Sequence, residues 1–164
     1  MLGRTNLIGS SNSMLGIDSQ SVKLLPMSGK YRGIDAPKRV NVCKRTFVVD
    51  MQGRLWLADV DATNRVYGFL TVPLVSSILW RCGERLEKVF GDHSCNGVFA
   101  TELAKWSIAF EKASRLKSAR GFVPIAKRWV VERSIAYTNY FQRVVKDYEY
   151  TLSSSVSWLY LANI

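Results

Sequence analysis

Glu132 is the residue whose type and surroundings point most directly to chemistry. It is one of two acidic residues from Lys112 to Asp147, an interval that holds nine Lys and Arg. A carboxylate among so many cations could bind a metal ion beside a polyanion. It could equally form an intrahelical ion pair with Arg128, four residues earlier, which contributes about a few tenths of a kcal/mol. The segment alone leaves both interpretations open but favours the ion pair.

Two other carboxylates lie in predicted strands. Asp18 falls inside the first strand candidate and Asp92 at the end of a later one, with gaps of 74 and 40 residues between Asp18, Asp92 and Glu132. In open α/β sheets, sites form at strand ends and helix residues complete them. Three such carboxylates could hold two Mg²⁺ about 3.5–4 Å apart on the attacking and leaving oxygens of a phosphodiester. The chain has 13 acidic residues, so spacing alone does not select these three.

The composition favours a polyanionic partner. The 164 residues carry a formal net charge of +10, and 48% are hydrophobic, which is enough for one domain with a real core. The longest uncharged run has 15 residues and includes Pro73, too short for a membrane span of about 20. No signal peptide is expected at the N-terminus. One histidine and three separated cysteines argue against zinc and disulfides, and oxygen ligands favour Mg²⁺ or Mn²⁺.

Hydrophobic periodicity predicts a mixed α/β domain from residue 14 to residue 164, after a disordered tail of residues 1–13. Residues 23–45 carry seven basic residues against one acid and are predicted to form an extended basic loop. A Gln52-Gly53 turn is predicted to join two hairpin strands. The remaining predicted strands and helices follow in chain order: strand 14–18, strand 45–51, strand 54–61, helix 70–85, strand 86–90, helix 97–106, strand 107–110, helix 125–148 and helix 152–164.

The predicted helix 125–148 has two faces. Its polar face would carry a carboxylate between guanidiniums. This face could be a metal ligand with phosphate contacts on either side, or a charged surface that only faces solvent. The residues of that face are Arg128, Glu132, Asn139 and Arg143. The neighbouring apolar stripe, expected to face the core, is Trp129, Ala136, Tyr140 and Val144.

Three segments of the chain resemble the catalytic domain of DDE transposases of bacterial insertion sequences, in the insertion-sequence-5-like group. They are GIDSQSVK (16–23), GIDAPKRVNVCKRTFVVDMQGRLWLADVDATN (33–64) and RWVVERSIAYTNYFQRVVKDYE (128–149). The last is similar to the family's RWVVERTFAW…N…RR…KDYE segment and is the most specific. The likeness covers roughly residues 14–164.

The resemblance implies a fold, a site and a reaction. The family fold is α/β, a ribonuclease H-like mixed five-stranded sheet with helices on both faces. Asp18, Asp92 and Glu132 match the catalytic, metal-binding triad, which would use Mg²⁺ or Mn²⁺, as two ions. The implied activity is hydrolysis of DNA at insertion-sequence ends and joining of the freed 3′ end to target DNA, in the nucleoid of a bacterial cytosol. Residues expected to contact DNA are Lys38, Arg39, Lys44, Arg45, Arg128, Arg133 and Arg143.

Length separates this chain from those relatives. They carry a substantial region before the first Asp, where this chain has 17 residues, so we expect a truncated copy or a second reading frame. Two further functions stay open: an inactive DNA-binding remnant, and a ribonuclease H-like nuclease that cuts without strand transfer. Assembly into a homo-oligomer on DNA is left open as well.

Overall fold

A mixed β-sheet forms the centre of the computed structural model, which describes residues 14–25, 33–35, 40–62, 67–82, 85–91, 97–112 and 128–164. The strands are β1 (Met14–Lys23), β2 (Gly33–Asp35), β3 (Val40–Asp50), β4 (Leu55–Ala62), β5 (Lys88–Gly91) and β6 (Ala109–Lys112). The helices are α1 (Tyr67–Cys82), α2 (Val98–Ala104), α3 (Arg128–Tyr140) and α4 (Leu152–Leu161), with a 3₁₀ turn at Gln142–Val144. The expected tail, residues 1–13, lies outside the described residues.

Five strands in the order β4–β3–β1–β5–β6 give the sheet its architecture. β1 is antiparallel to β3, and β3 to β4, whereas β5 is parallel to β1 and β6 to β5. The three-residue β2 pairs with the first residues of β3 on the side away from β1. This is the predicted ribonuclease H-like mixed sheet, with β1 in the centre between an antiparallel and a parallel neighbour.

Helices cover both faces of the sheet, as predicted. On one face, α1 and α2 pack on apolar side chains of β1, β3 and β5, around Leu15, Val48 and Val89. On the other face, α3 and α4 pack on β1, β3 and β4, around Phe47, Val131 and Leu159. Consecutive strand residues point to opposite faces, so Ile17 belongs to the first core and Val22 to the second.

The predicted basic loop 23–45 is wrong where the structure describes it. β1 extends to Lys23 and β3 begins at Val40, and the two strands pair as far as Lys23 opposite Val42. Lys and Arg are compatible with these strands because neighbouring positions face opposite sides of the sheet. The loop prediction counts the charges of the stretch and ignores that side chains of a strand alternate between the two faces of the sheet.

The predicted helix 125–148 is also wrong in its second half. α3 ends at Tyr140, Phe141 is extended, and the chain continues as the 3₁₀ turn Gln142–Val144. Asp147 then pairs in parallel with Leu24, next to the end of β1, and donates its amide to the Lys23 carbonyl at 3.0 Å. Because this segment pairs with the end of β1, it cannot continue α3.

A buried ion pair anchors this last segment to the sheet. Arg45 is 2% exposed; its Nη2 lies 3.2 Å from Asp147 Oδ2 and its Nη1 donates to the Val144 carbonyl. The Asp147 carboxylate also accepts hydrogen bonds from the Ser155 hydroxyl and the Glu149 amide. β3, the 3₁₀ turn and α4 therefore meet at one carboxylate.

The Asp147 carboxylate is expected to make the fold acid-sensitive. Burial acts to raise its pKa, but hydrogen bonds from Ser155 and Glu149 and the Arg45 charge outweigh burial, so the pKa falls below its ordinary 3.8. A carboxyl with a depressed folded-state pKa stabilises the fold above its unfolded pKa, and this contribution is lost as pH falls through the folded pKa. We expect the urea midpoint to drop below about pH 4, and to drop less steeply in Asp147→Asn. The same pH dependence in both proteins would contradict this account.

None of the helices in the described residues is long and apolar enough to cross a membrane.

Candidate active site

Asp18 lies on the central strand and on the face that α3 covers. It sits opposite Phe47 of β3 and is half-buried, and its Oδ1 accepts the Ser19 amide at 2.8 Å. Gly16, two residues earlier and on the same face, contacts α3, and Val22 further along belongs to the core under α3 and α4. The structure therefore places Asp18 on a strand, as predicted, beneath the helix that carries Glu132.

The closest approach of α3 to β1 occurs between Val131 and Gly16. A Cβ at Gly16 would lie 2.4 Å from Val131 Cγ2, a separation that real atoms do not adopt. Only glycine at position 16 allows the helix this close to the strand. Asp18 follows Gly16 by two residues, about 6.6 Å along a strand, and Glu132 follows Val131 directly. The contact therefore sets the strand that carries Asp18 against the helix that carries Glu132.

A second glycine holds the next turn of α3. Gly53, in the β3–β4 turn, has a φ of +87°, which favours glycine, and its carbonyl accepts the Ser134 hydroxyl at 2.8 Å. Arg133 Nη2 donates to the neighbouring Gln52 carbonyl at 3.1 Å. Glu132 thus lies on a helical turn fixed on one side by β1 and on the other by the hairpin.

Neither glycine contact was part of the sequence-based site prediction. A glycine in a strand, two residues before a candidate catalytic Asp, is a signal for close backbone approach that the sequence does offer. The choice of Val131 as its partner depends on the rotation of α3 and has no local signal.

Glu132 is exposed on α3, and Asp92 lies outside the described residues. β5 is described up to Gly91, where a Cβ would lie 2.9 Å from Ile17 Cγ2. Gly91 therefore packs beside the neighbour of Asp18, on the strand parallel to β1. The predicted convergence of all three carboxylates stays a prediction.

The carboxylate oxygens of Asp18 and Glu132 are hard donors of the type that Mg²⁺ and Mn²⁺ prefer. Within the described ranges, which exclude Asp92, no group of three or more His, Cys, Asp or Glu is placed to hold a metal ion. The assignment of Asp18, Asp92 and Glu132 as ligands of one metal site therefore stays a prediction.

The structure gives different outcomes for the residues predicted to contact DNA. Lys38, Arg39 and the side chain of Arg128 lie outside what the structure describes. Arg45 as a phosphate contact is wrong, because it is buried and paired with Asp147. Lys44 pairs with Ser21 and therefore lies on the face of the sheet opposite Asp18.

The two remaining arginines border the outer side of α3. Arg133 stacks over the Trp129 ring at 4.6 Å. Arg143 is outside α3, in the 3₁₀ turn, where its Nη2 lies 2.6 Å from Glu149 Oε1 and its side chain stays 45% exposed. The predicted helix face shared by Glu132 and Arg143 is therefore wrong.

The predicted apolar stripe is wrong for three of its four residues; the fourth, Val144, is buried as predicted, although it lies in the 3₁₀ turn and not in α3. Trp129 is 46% and Tyr140 82% exposed, and Ala136 is exposed too. The buried side of α3 instead carries Val130, Val131, Ser134 and Thr138. The Thr138 hydroxyl donates to the Ser134 carbonyl one turn earlier at 2.9 Å, and the Ser134 hydroxyl lies between the Val130 carbonyl at 3.0 Å and the Gly53 carbonyl. Polar side chains with such partners fit the core side of the helix.

Gly16→Ala is expected to push α3 away from β1. The new methyl group meets a β-branched side chain that cannot swing aside, so the strain should cost about 1–3 kcal/mol of unfolding free energy. The double variant Gly16→Ala/Val131→Ala removes the opposing Cγ2 and should recover part of the urea midpoint that Gly16→Ala loses. No recovery in the double variant would show that this contact does not set the helix position.

No family model and no curated protein matches this sequence. Solved structures do match. The catalytic core domain of BIV integrase aligns over 92% of this chain and 82% of its own, at 10% identity and a TM-score of 0.54. A chain of the simian T-cell lymphotropic virus intasome in complex with PP2A regulatory subunit B56 gamma aligns over 91% of this chain and 47% of its own, at 12% identity and a TM-score of 0.56.

A chain of the Mos1 mariner paired end complex with Mn aligns over 90% of this chain and 47% of its own, at 10% identity and a TM-score of 0.49. The identities are low, so the first two alignments establish the fold. The chain has the ribonuclease H-like fold of an integrase catalytic core.

Proposed function

We propose that this chain is a DDE-type catalytic domain that cleaves DNA phosphodiesters in the presence of Mg²⁺ or Mn²⁺ and joins the freed 3′ end to target DNA. Asp18, Asp92 and Glu132 would be its metal ligands and catalytic residues. The single observation that carries the proposal is the Gly16–Val131 contact, which sets the Asp18 strand against the Glu132 helix. The fold and the specific resemblance of residues 128–149 to insertion-sequence-5-like transposases support it.

The arrangement assigns separate tasks to the residues. Asp18, on the rigid centre of the sheet, would hold its carboxylate in a fixed position, while Glu132 would approach from the helix above. A bound divalent cation would polarise the phosphoryl oxygen and lower the pKa of its attacking water. Nearby cations such as Arg133 would offset the charge of the DNA backbone. With DNA as substrate, the nucleoid of a bacterial cytosol is the corresponding location.

Cleavage of DNA that carries the insertion-sequence ends on either side of this gene tests the proposal. The whole chain is incubated with end-labelled duplex and Mg²⁺ or Mn²⁺, with EDTA as the control. We expect metal-dependent breaks at the element ends that leave 3′ hydroxyls, and joined products when target DNA is added. Cleavage in EDTA would contradict the metal-dependent mechanism.

Two other outcomes would replace the proposal. DNA binding without any cleavage would identify the chain as a DNA-binding remnant. Cleavage without joined products, on any DNA, would identify a ribonuclease H-like nuclease. The net charge of +10 is compatible with both, so the products decide between them.

A further inference from the structure

The outer side of α3 exposes aromatic rings. Trp129 is 46%, Tyr137 62% and Tyr140 82% exposed. Together with Arg133 they follow one another at +4, +4 and +3 along the helix, so they share one side of it. We call these four residues the aromatic face of α3.

Arginine side chains stack on these rings and on the rings beyond the helix. The Arg133 guanidinium lies 4.6 Å from the Trp129 ring centre, and the Tyr137 and Tyr140 rings are 6.4 Å apart. Past the end of α3, the Arg143 guanidinium lies 5.2 Å from the ring centres of both Tyr148 and Trp158. Arg133 within α3 and Arg143 in the 3₁₀ turn after it are therefore both stacked on aromatic rings.

The charge of this surface favours an anionic partner. Of the three bases from Trp129 to Lys146, Arg143 is paired with Glu149 at 2.6 Å, whereas Arg133 and Lys146 stand against one acidic residue, Glu132. A second copy of a chain with a net charge of +10 would bring like charges together, which disfavours self-association through this face. Aromatic rings interleaved with cations suit a ligand that offers both flat apolar rings and phosphates.

We propose that the aromatic face of α3 binds unpaired DNA nucleotides by stacking their bases on Trp129, Tyr137 and Tyr140. Trp129 and Tyr137 lie about 12 Å apart along the helix at 1.5 Å per residue, which leaves room for more than one base. Bases in a duplex are already stacked, so these rings discriminate in favour of a single strand. The inference names the form of DNA engaged beside Glu132 and rests on the proposed function for its role.

Binding of the whole chain to a fluorescein-labelled thymidine oligomer and to a duplex of the same length, both in EDTA, tests the proposal. The test variant is Tyr137→Ser/Tyr140→Ser. The matched control is Trp80→Ser/Trp106→Ser, which removes two aromatic rings, 86% and 63% exposed, away from α3. Neither variant changes the charge of the protein.

We expect Tyr137→Ser/Tyr140→Ser to raise the Kd for the single strand by about 20-fold or more, since each stacked base contributes separately. The duplex Kd should change by less than about threefold, with an unchanged salt dependence, because no phosphate contact is removed. The control variant should bind both ligands as the wild type does. Should the double variant fail to fold, Tyr140→Ser alone should weaken single-strand binding about fivefold.

Three results would overturn the proposal. In Tyr137→Ser/Tyr140→Ser, the Kd values for single strand and duplex could rise equally, or neither Kd could change. The variant could also sediment as a monomer where the wild type is a dimer, with the single-strand Kd unchanged. The third would identify a self-association surface. Because binding in EDTA requires no cleavage, a failure here is distinct from a failure of the proposed function.

Discussion

Glu132→Gln is expected to abolish metal-dependent cleavage while leaving DNA affinity unchanged or slightly higher. The substitution keeps the shape of the side chain and removes one charged metal ligand. Metal stabilisation of the transition state amounts to several kcal/mol, so the cleavage rate should fall about 10³-fold or more. Affinity should not fall, because the change removes a negative charge from a surface that meets phosphates. Single-turnover cleavage and fluorescence anisotropy in EDTA measure the two quantities.

Glu111→Gln is the matched control for that substitution. Glu111, on β6, is also exposed, and its carboxylate lies 3.1 Å from Nζ of Lys88 on β5. The same change of charge there should leave cleavage intact. If Glu132→Gln instead lowers affinity and retains cleavage, Glu132 serves only in a helix ion pair, the interpretation that its own segment leaves open.

Arg45→Met is expected to be the most destabilising of the charge-removing substitutions. It leaves the buried Asp147 carboxylate without its cation, and breaking one side of a buried pair costs about 3–5 kcal/mol. In a protein of this size the melting temperature should fall by about 10 °C. Replacing both partners, as in Arg45→Met/Asp147→Leu, should restore much of the loss, because an apolar pair leaves no charge in the core.

Lys88→Met provides the comparison for Arg45→Met. Its ion pair with Glu111 is on the surface, with side chains 34% and 54% exposed, and such pairs contribute about 0–1 kcal/mol. A loss for Arg45→Met no larger than that for Lys88→Met would show that the buried pair does not anchor the C-terminal segment.

Strand alternation and turn chemistry made the sheet predictable from the sequence. Leu55, Leu57 and Asp59 alternate after Gln52-Gly53, and the structure confirms the turn and the strand that follows it. The predictions of Asp18 on a strand and Glu132 on a helix are also confirmed. Each of these features depends on residues close together in the chain.

The features that escaped prediction depend on distant partners. The end of α3 at Tyr140 is set by the pairing of Asp147 with Leu24, more than a hundred residues earlier. The buried side of α3 contains Ser134 and Thr138, whose hydroxyls bond to the backbone, so an apolar pattern selected the wrong side. The sequence alone predicts Arg45 to be a surface cation, because its buried partner Asp147 is distant in the chain.

Binding of Mn²⁺, measured by the loss of the free-ion electron paramagnetic resonance signal, tests the central claim most directly. Asp18 and Glu132 should share a metal site with Asp92. Wild-type protein and Glu111→Gln should therefore bind Mn²⁺ alike, whereas Asp18→Asn and Glu132→Gln should each weaken binding by about tenfold or more. Mn²⁺ affinity equal to that of the wild type in both Asp18→Asn and Glu132→Gln would contradict the account.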